Sequence, residues 1–279
     1  MTDPWRPTGA IAHNSRMDLQ LAGRFALVTG STAGIGRAIA AALAREGASV
    51  IVNGRTQAAV DAACAALAAA RTGTVRGFAG DLSTDAAAQA VAKEFPEVEI
   101  LINNLGIFES KSFEDIPDAD WRRLFEVNVL SGVRLARLYL PGMKRRNWGR
   151  IIFISSESAI QIPIEMIHYG MTKTAQLAVA RGLAEAVAGT GITVNSILPG
   201  PTRSRGVVDF VDALAKRAGI SPQQVEQDFF KNTRPTSLIK RFVTPEEVAT
   251  LVAYVASPLA AATTGAALRV DGGVVKSVI

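Results

Sequence analysis

The 279-residue chain holds one cysteine and two histidines. A lone thiol, Cys64, excludes an internal disulfide and a cysteine-ligated metal cluster, and its alanine-rich surroundings (AAVDAACAALAAA) mark it as a small packing residue. His13 lies in the leading segment and His168 much further on, so neither a histidine metal site nor a histidine-driven nucleophilic triad has the material it needs. His168 reads instead as a pocket wall. Long apolar runs without charge are missing too, which excludes a membrane-spanning helix. The net charge of +5 is spread along the chain and never gathered into a basic run, so nucleic acid is not an expected partner. The first 16 residues lack the apolar stretch of a secretory signal and read as a loose arm, with Met17 a plausible alternative start. A soluble, cytoplasmic protein is expected, with no membrane or nucleic-acid partner.

What is present is a regular alternation. Seven short Val/Ile-rich runs (RFALVTG, ASVIVNG, GTVRGFAG, VEILINN, GRIIFISS, ITVNSILPG and GAALRVDGG) are separated by longer amphipathic stretches. Helices are predicted over about 35–46, 57–70, 84–94, 118–140, 168–188 and 245–256, with Gly47, Gly189 and Gly191 as stop signals. No linker divides residues 17–279, so a single α/β domain is expected: a doubly wound, seven-stranded parallel sheet with helices on both faces. Ligands of such sheets bind beyond the carboxyl ends of the strands. Between Pro199 and Thr244 the pattern loosens into polar helical pieces. Because this stretch follows LPG at a strand's carboxyl end, residues 204–241 read as a substrate lid rather than a mere surface insertion.

Two patterns point to chemistry. Thr29-Gly30-Ser31-Thr32-Ala33-Gly34-Ile35-Gly36 follows the first predicted strand and opens a helix, so bare amides and a helix N-terminus can face a pyrophosphate. Further on, Tyr169 and Lys173 are four residues apart, with Ser156 thirteen positions before the tyrosine. A four-residue step puts both side chains on one helix face, about 6 Å apart along the axis. Moving a tyrosine from a pKa near 10 to about 7 requires roughly 4 kcal/mol of preference for the phenolate. A cation at about 4 Å in an effective dielectric near 20 contributes on the order of 4 kcal/mol. Tyr169 could then exchange a proton with an alcohol or ketone at neutral pH. A tyrosine–lysine pair at this spacing is common by chance, as an aromatic core residue beside a solvated lysine. What raises it here is the order of its company: glycine turn, Asn103-Asn104-Leu105-Gly106, Asn128 among apolar neighbours, serine, tyrosine, lysine.

The TGxxxGxG spacing, distinct from GxGxxG, together with that order resembles the short-chain dehydrogenase/reductase family from about Gly23 to Gly273. The general similarity is greatest to 3-oxoacyl-[acyl-carrier-protein] reductase-like members. The resemblance implies a Rossmann fold and a catalytic tetrad of Asn128, Ser156, Tyr169 and Lys173. Tyr169 would be the acid/base and Ser156 the holder of the carbonyl oxygen, with Ser155 as the alternative. Lys173 would bind the nicotinamide ribose and lower the tyrosine's pKa, and Asn128 would anchor a water leading away from it. Cofactor contacts are implied for Gly30, Ser31, Thr32, Gly34, Ile35, Gly36, Asp81, Leu82, Asn104, Gly106, Tyr169, Lys173, Pro199, Gly200 and Thr202, with hydride leaving the pro-S face at C4. Asp81 would meet the adenine amino group, though it reads equally as part of a helix-capping turn. Leu105 replaces the family's usual alanine and could crowd the cofactor or narrow the pocket.

The choice of dinucleotide is read after the second strand, in Asn53-Gly54-Arg55-Thr56. No carboxylate is present there to repel a phosphate, and Arg55 can pair with one, so NADP(H) is favoured over NAD(H). The expected activity is hydride transfer between nicotinamide and a carbonyl or secondary alcohol, as in a ketone or 3-oxoacyl reductase. A sugar-alcohol, steroid or aliphatic alcohol dehydrogenase is the alternative, and an NADP-sensing or interaction protein the non-enzymatic one. The family's habits imply a homotetramer or homodimer.

Overall fold

The computed structural model describes residues 17–68 and 73–278. The arm expected over 1–16 and the end of the helix expected over 57–70 fall outside that range. The first half of the chain runs β1 (Phe25–Val28), α1 (Gly34–Arg45), β2 (Ser49–Gly54), α2 (Gln57–Ala68), β3 (Val75–Ala79), α3 (Asp85–Glu94) and β4 (Ile100–Asn103). The second half runs α4 (Asp118–Phe125), α5 (Ser131–Arg146), β5 (Gly149–Ile154), α6 (Ile167–Ala186), β6 (Ile192–Pro199), α7 (Arg205–Ala218), α8 (Pro222–Asp228), α9 (Pro245–Ala256) and β7 (Ala267–Val270).

All seven strands pair in parallel, in the order β3-β2-β1-β4-β5-β6-β7. Strand residues alternate between two cores, because successive side chains leave a pleated strand on opposite faces. Ala26, Val28, Ile152 and Ile154 join α1 and α9 on one side, while Leu27, Ile151 and Phe153 join α3, α5 and α6 on the other. Burial on both faces explains why these strands are near-continuous apolar runs. The chain winds outward in one direction from β1 and in the other from β4, so a crevice opens where their carboxyl ends diverge.

The helix predicted over 118–140 differs in two ways. One wider, π-type turn, Glu126–Leu130, separates α4 from α5 and contains Asn128. α5 then continues past Pro141 to Arg146. Proline deprives the carbonyl of Arg137 of its helical donor, but both residues face outward, where water can serve instead. Asn147, in a left-handed conformation (φ 50°), ends the helix.

Candidate active site

The glycine turn lies in the crevice beyond β1 and is held by its own Ser31, by Asn53 of β2 and by Asn104 just after β4. Ser31 donates to the carbonyl of Val28 (2.6 Å), and Asn53 accepts from the amide of Gly30 (3.1 Å) while donating to Phe78 and Gly80. The amide of Asn104 donates to the carbonyls of Thr29 and Gly30 (2.9 and 3.1 Å). Gly36 packs so tightly that a Cβ there would lie 2.5 Å from both Asn104 Nδ2 and Gly30 O. Gly34 starts α1 at φ +54°, a conformation that favours glycine. Ala33 offers no side-chain cap and the first turn has no acidic residue, so the amides of α1 remain open to an anion. These features fit a dinucleotide pyrophosphate.

Beyond the turn, a cavity of about 990 Å³ opens over the carboxyl ends of β5 and β6. Ile35 of the turn, Pro199, Gly200, Thr202, Ser156 and Tyr169 all line it. Helices α7 and α8, from the segment expected as a lid, cover it with Val207, Val211, Leu214 and Val225. The hydroxyl of Ser155 is spent on the carbonyl of Lys173 (2.9 Å), whereas that of Ser156 donates to Glu157 Oε2 (2.5 Å). Of the two serines, Ser156 is therefore the one free to exchange its partner for a ligand.

Lys173 is buried, with Nζ donating to the carbonyl of Ile154 (2.9 Å) and to Gln176 Oε1 (3.3 Å). Its ammonium lies 5.5 Å from the centroid of the Tyr169 ring, and burial pushes its pKa down to about 7. Tyr169 moves the other way from expectation. Burial and the nearby Glu157 charge raise its pKa, and the Ser156 hydroxyl only partly opposes them. The cost of removing a phenolate from water and the adjacent carboxylate together outweigh a cation's pull.

Asn128 is buried and its side chain is fully engaged. Oδ1 accepts from the amide of Ile107 (2.8 Å), and Nδ2 donates to the carbonyl of Ile107 and to Thr172 Oγ1 (both 2.9 Å). It thus ties the loop after β4 to α6. Its main-chain carbonyl accepts from Gln176 Nε2 (2.5 Å).

The remaining residues singled out from sequence are dispersed. Gly106 faces Lys173 and Asn128: a Cβ there would come within 3.5 Å of Nζ. Leu105 turns its side chain toward Gly30 and the core rather than into the cavity. Arg55 is exposed just beyond β2, and Thr32 packs against Gly54 beside it. Asp81 is exposed and accepts from the amide and hydroxyl of Ser83 (3.0 and 2.7 Å), the turn-capping arrangement. The side chain of Leu82 is buried in the core, leaving only its backbone for a ligand. Thr202 donates to the carbonyl of Gly200 (2.8 Å). His168 is not a pocket wall. It is fully buried against Trp121 (ring centroids 5.8 Å apart), away from the cavity, and burial lowers its pKa.

Three polar residues at the site carried no weight in the sequence reading. Glu157 is 5% exposed and lines the cavity, with burial raising its pKa against the pull of Ser156 and Arg234. Arg234 places Nε 3.6 Å from Glu157 and Nη1 3.2 Å from Glu165. Gln176 is the third. An acid directly after the serine pair, and a glutamine on the buried face one turn past the lysine, were the signals available.

A parallel sheet with a glycine turn at its switch point, a serine and a tyrosine lining the adjoining cavity and a lysine buried beside the tyrosine define a dinucleotide-binding α/β oxidoreductase. Residues 24–215 match the model of the short chain dehydrogenase family, and the chain belongs to that family, whose members act on CH–OH and carbonyl groups. It is 49% identical over 263 residues to the uncharacterized oxidoreductase YvaG of Bacillus subtilis (strain 168), covering 94% of this chain and all of that one. It is 34% identical to the 3-oxoacyl-[acyl-carrier-protein] reductase FabG of Escherichia coli (strain K12), over 90% of this chain and 97% of that one. Among solved structures, L-sorbose reductase from Gluconobacter frateurii, complexed with NADPH and L-sorbose, superposes with a TM-score of 0.89 at 32% identity, covering 94% of this chain and 100% of that one. Among the described residues no helix is long and apolar enough to cross a membrane, and no cluster of residues could hold a metal ion.

Proposed function

We propose that the protein is an NADP(H)-dependent reductase of a small ketone, running in reverse as a secondary-alcohol dehydrogenase. The observation that carries this reading is that Ser156 and Tyr169 line one cavity with Ile35 of the glycine turn, with Lys173 buried 5.5 Å from the tyrosine ring. A bound nicotinamide supplies the hydride. Tyr169 donates its phenolic proton to the carbonyl oxygen, which Ser156 holds by a hydrogen bond. Below its pKa of about 7 Lys173 places a positive charge 5.5 Å from the tyrosine ring, opposing the burial that disfavours the phenolate. Asn128 is a positioning residue: through Ile107 and Thr172 it fixes the loop and the helix that present Gly106 and Lys173.

The backbone of Gly30 to Gly36 holds the pyrophosphate. Asp81, Leu82, Asn104 and Gly106 flank the adenosine, and Pro199, Gly200 and Thr202 the carboxamide end. The exposed guanidinium of Arg55 pairs with the 2′-phosphate, which makes NADP(H) the preferred dinucleotide. The segment 204–241 acts as the lid, and the chain assembles as a homodimer or homotetramer. The relatives' names suggest two substrate classes, 3-oxoacyl thioesters and ketoses. Dinucleotide oxidation followed by absorbance against a carbonyl panel tests the reading. Turnover with NADPH exceeding that with NADH supports it, and no turnover of any carbonyl overturns it.

A further inference from the structure

The hydroxyl of Ser156 has one proton, and in this structure it is given to Glu157 Oε2 at 2.5 Å. The amide of Ser158 occupies an acceptor position on the same oxygen (3.1 Å). A serine held this way has nothing left to donate to a carbonyl oxygen, and a carboxylate competes for that proton better than a neutral carbonyl does. A substrate must therefore change this hydrogen bond before Ser156 can assist its reduction.

The surrounding charges indicate what kind of substrate does so. Glu157 and Glu165 both line the cavity, and the single guanidinium between them, Arg234, is shared by the two and by the carbonyl of Thr233 (3.0 Å). Two carboxylates against one guanidinium leave a wall that repels anionic substrates and accepts hydrogen bonds. Ser156 and Glu157 are also one hydrogen bond apart, the spacing of two oxygens on adjacent carbon atoms.

We propose that the substrate is a neutral ketone carrying a hydroxyl on the carbon next to the carbonyl, and that this hydroxyl replaces Ser156 as the donor to Glu157. This rests on the reductase reading above. The released serine proton then turns to the carbonyl oxygen, so one donor replaces another on the carboxylate and no proton is gained or lost in the exchange. Reduction adds hydride to the carbonyl carbon and the Tyr169 proton to its oxygen, giving a vicinal diol and the oxidised dinucleotide. A ketone without the neighbouring hydroxyl leaves Ser156 on Glu157. Selectivity thus acts in the chemical step as well as in binding, and Glu157 determines it.

The test compares 1-hydroxy-2-butanone with 2-pentanone, ketones of the same size, using NADPH and the intact protein. The wild type is expected to turn over the hydroxyketone about a hundredfold faster in kcat, the scale of one donor at a developing oxyanion. In Glu157→Leu that ratio falls at least tenfold, and in Glu157→Gln, which keeps an acceptor, it falls less. The comparison in the wild type stands even if the leucine variant does not fold. Equal kcat for the two ketones, a ratio unchanged in Glu157→Leu, or faster turnover of a 3-oxoacyl thioester than of the hydroxyketone overturns this inference and leaves the reductase reading intact. Absence of turnover with every carbonyl overturns both.

Discussion

The side-chain amide of Gln176 joins Lys173 to Asn128: its oxygen accepts from Lys173 Nζ at 3.3 Å, and its nitrogen donates to the main-chain carbonyl of Asn128 at 2.5 Å. Lys173, Gln176 and Asn128 are all buried, so none of these bonds competes with bulk water. Gln176 thereby supplies one of the two acceptors that hold the lysine, the carbonyl of Ile154 being the other.

Losing an acceptor for the charged form lowers a lysine pKa. Gln176→Leu should therefore lower kcat and move the alkaline limb of the kcat/KM profile to lower pH, while Gln176→Glu moves it to higher pH. A role confined to packing would reduce thermal stability in both variants and leave the limb where it is.

Burial of Lys173 also makes a prediction for folding. Its pKa is about 7 in the folded protein, against 10.5 for an unperturbed lysine. Between these values the unfolded chain binds the proton and the folded one does not, so raising the pH favours folding. From pH 7 to 9.5 the unfolding free energy of the wild type should rise relative to Lys173→Met, by at most about 1.4 kcal/mol per pH unit. Tyr169, whose pKa is raised, acts in the opposite sense only above about pH 10. Urea unfolding of both proteins across this range provides the check, and parallel curves would count against the buried neutral lysine.

If Arg55 pairs with the 2′-phosphate as proposed, Arg55→Asp should shift the dinucleotide preference toward NADH. A carboxylate beyond β2 repels the 2′-phosphate and can accept from the ribose hydroxyls instead. The KM for NADPH should rise at least tenfold and that for NADH should fall. Unchanged NADPH affinity would remove Arg55 from the phosphate site.

Gly36→Ala places a methyl group 2.5 Å from Asn104 Nδ2 and Gly30 O, and Asn104 cannot withdraw without losing its bonds to Thr29 and Gly30. Overpacking of this kind costs about 1–3 kcal/mol. A lower melting temperature and weaker dinucleotide binding in a fluorescence titration are expected together.

The strands and most helices were legible because the central apolar runs are buried on both faces and some helices have a clear stop, such as Gly47 after α1. The π-type turn was not, since Asn128 adopts it to reach Ile107 and Thr172, partners distant in sequence. The helix bound set at residue 140 failed because Pro141 and Arg137 face outward, where the missing bond costs little. At the site, sequence order pointed to Ser156, Tyr169 and Lys173. It gave no sign that Glu157 would hold the serine, because that contact depends on the conformation after β5 and on Arg234, which lies far along the chain. The sign of the Tyr169 shift escaped for the same reason, since burial and a neighbouring charge are properties of the fold.

In the proposed reaction the phenolic proton of Tyr169 is the one delivered to substrate. Tyr169→Phe removes that oxygen and little else, so the decisive measurement is kcat of this variant alongside a titration showing that it still binds NADPH. Intact binding with kcat reduced by about 10²–10⁴ is expected. A phenylalanine variant that reduces the ketone at the wild-type rate would contradict it.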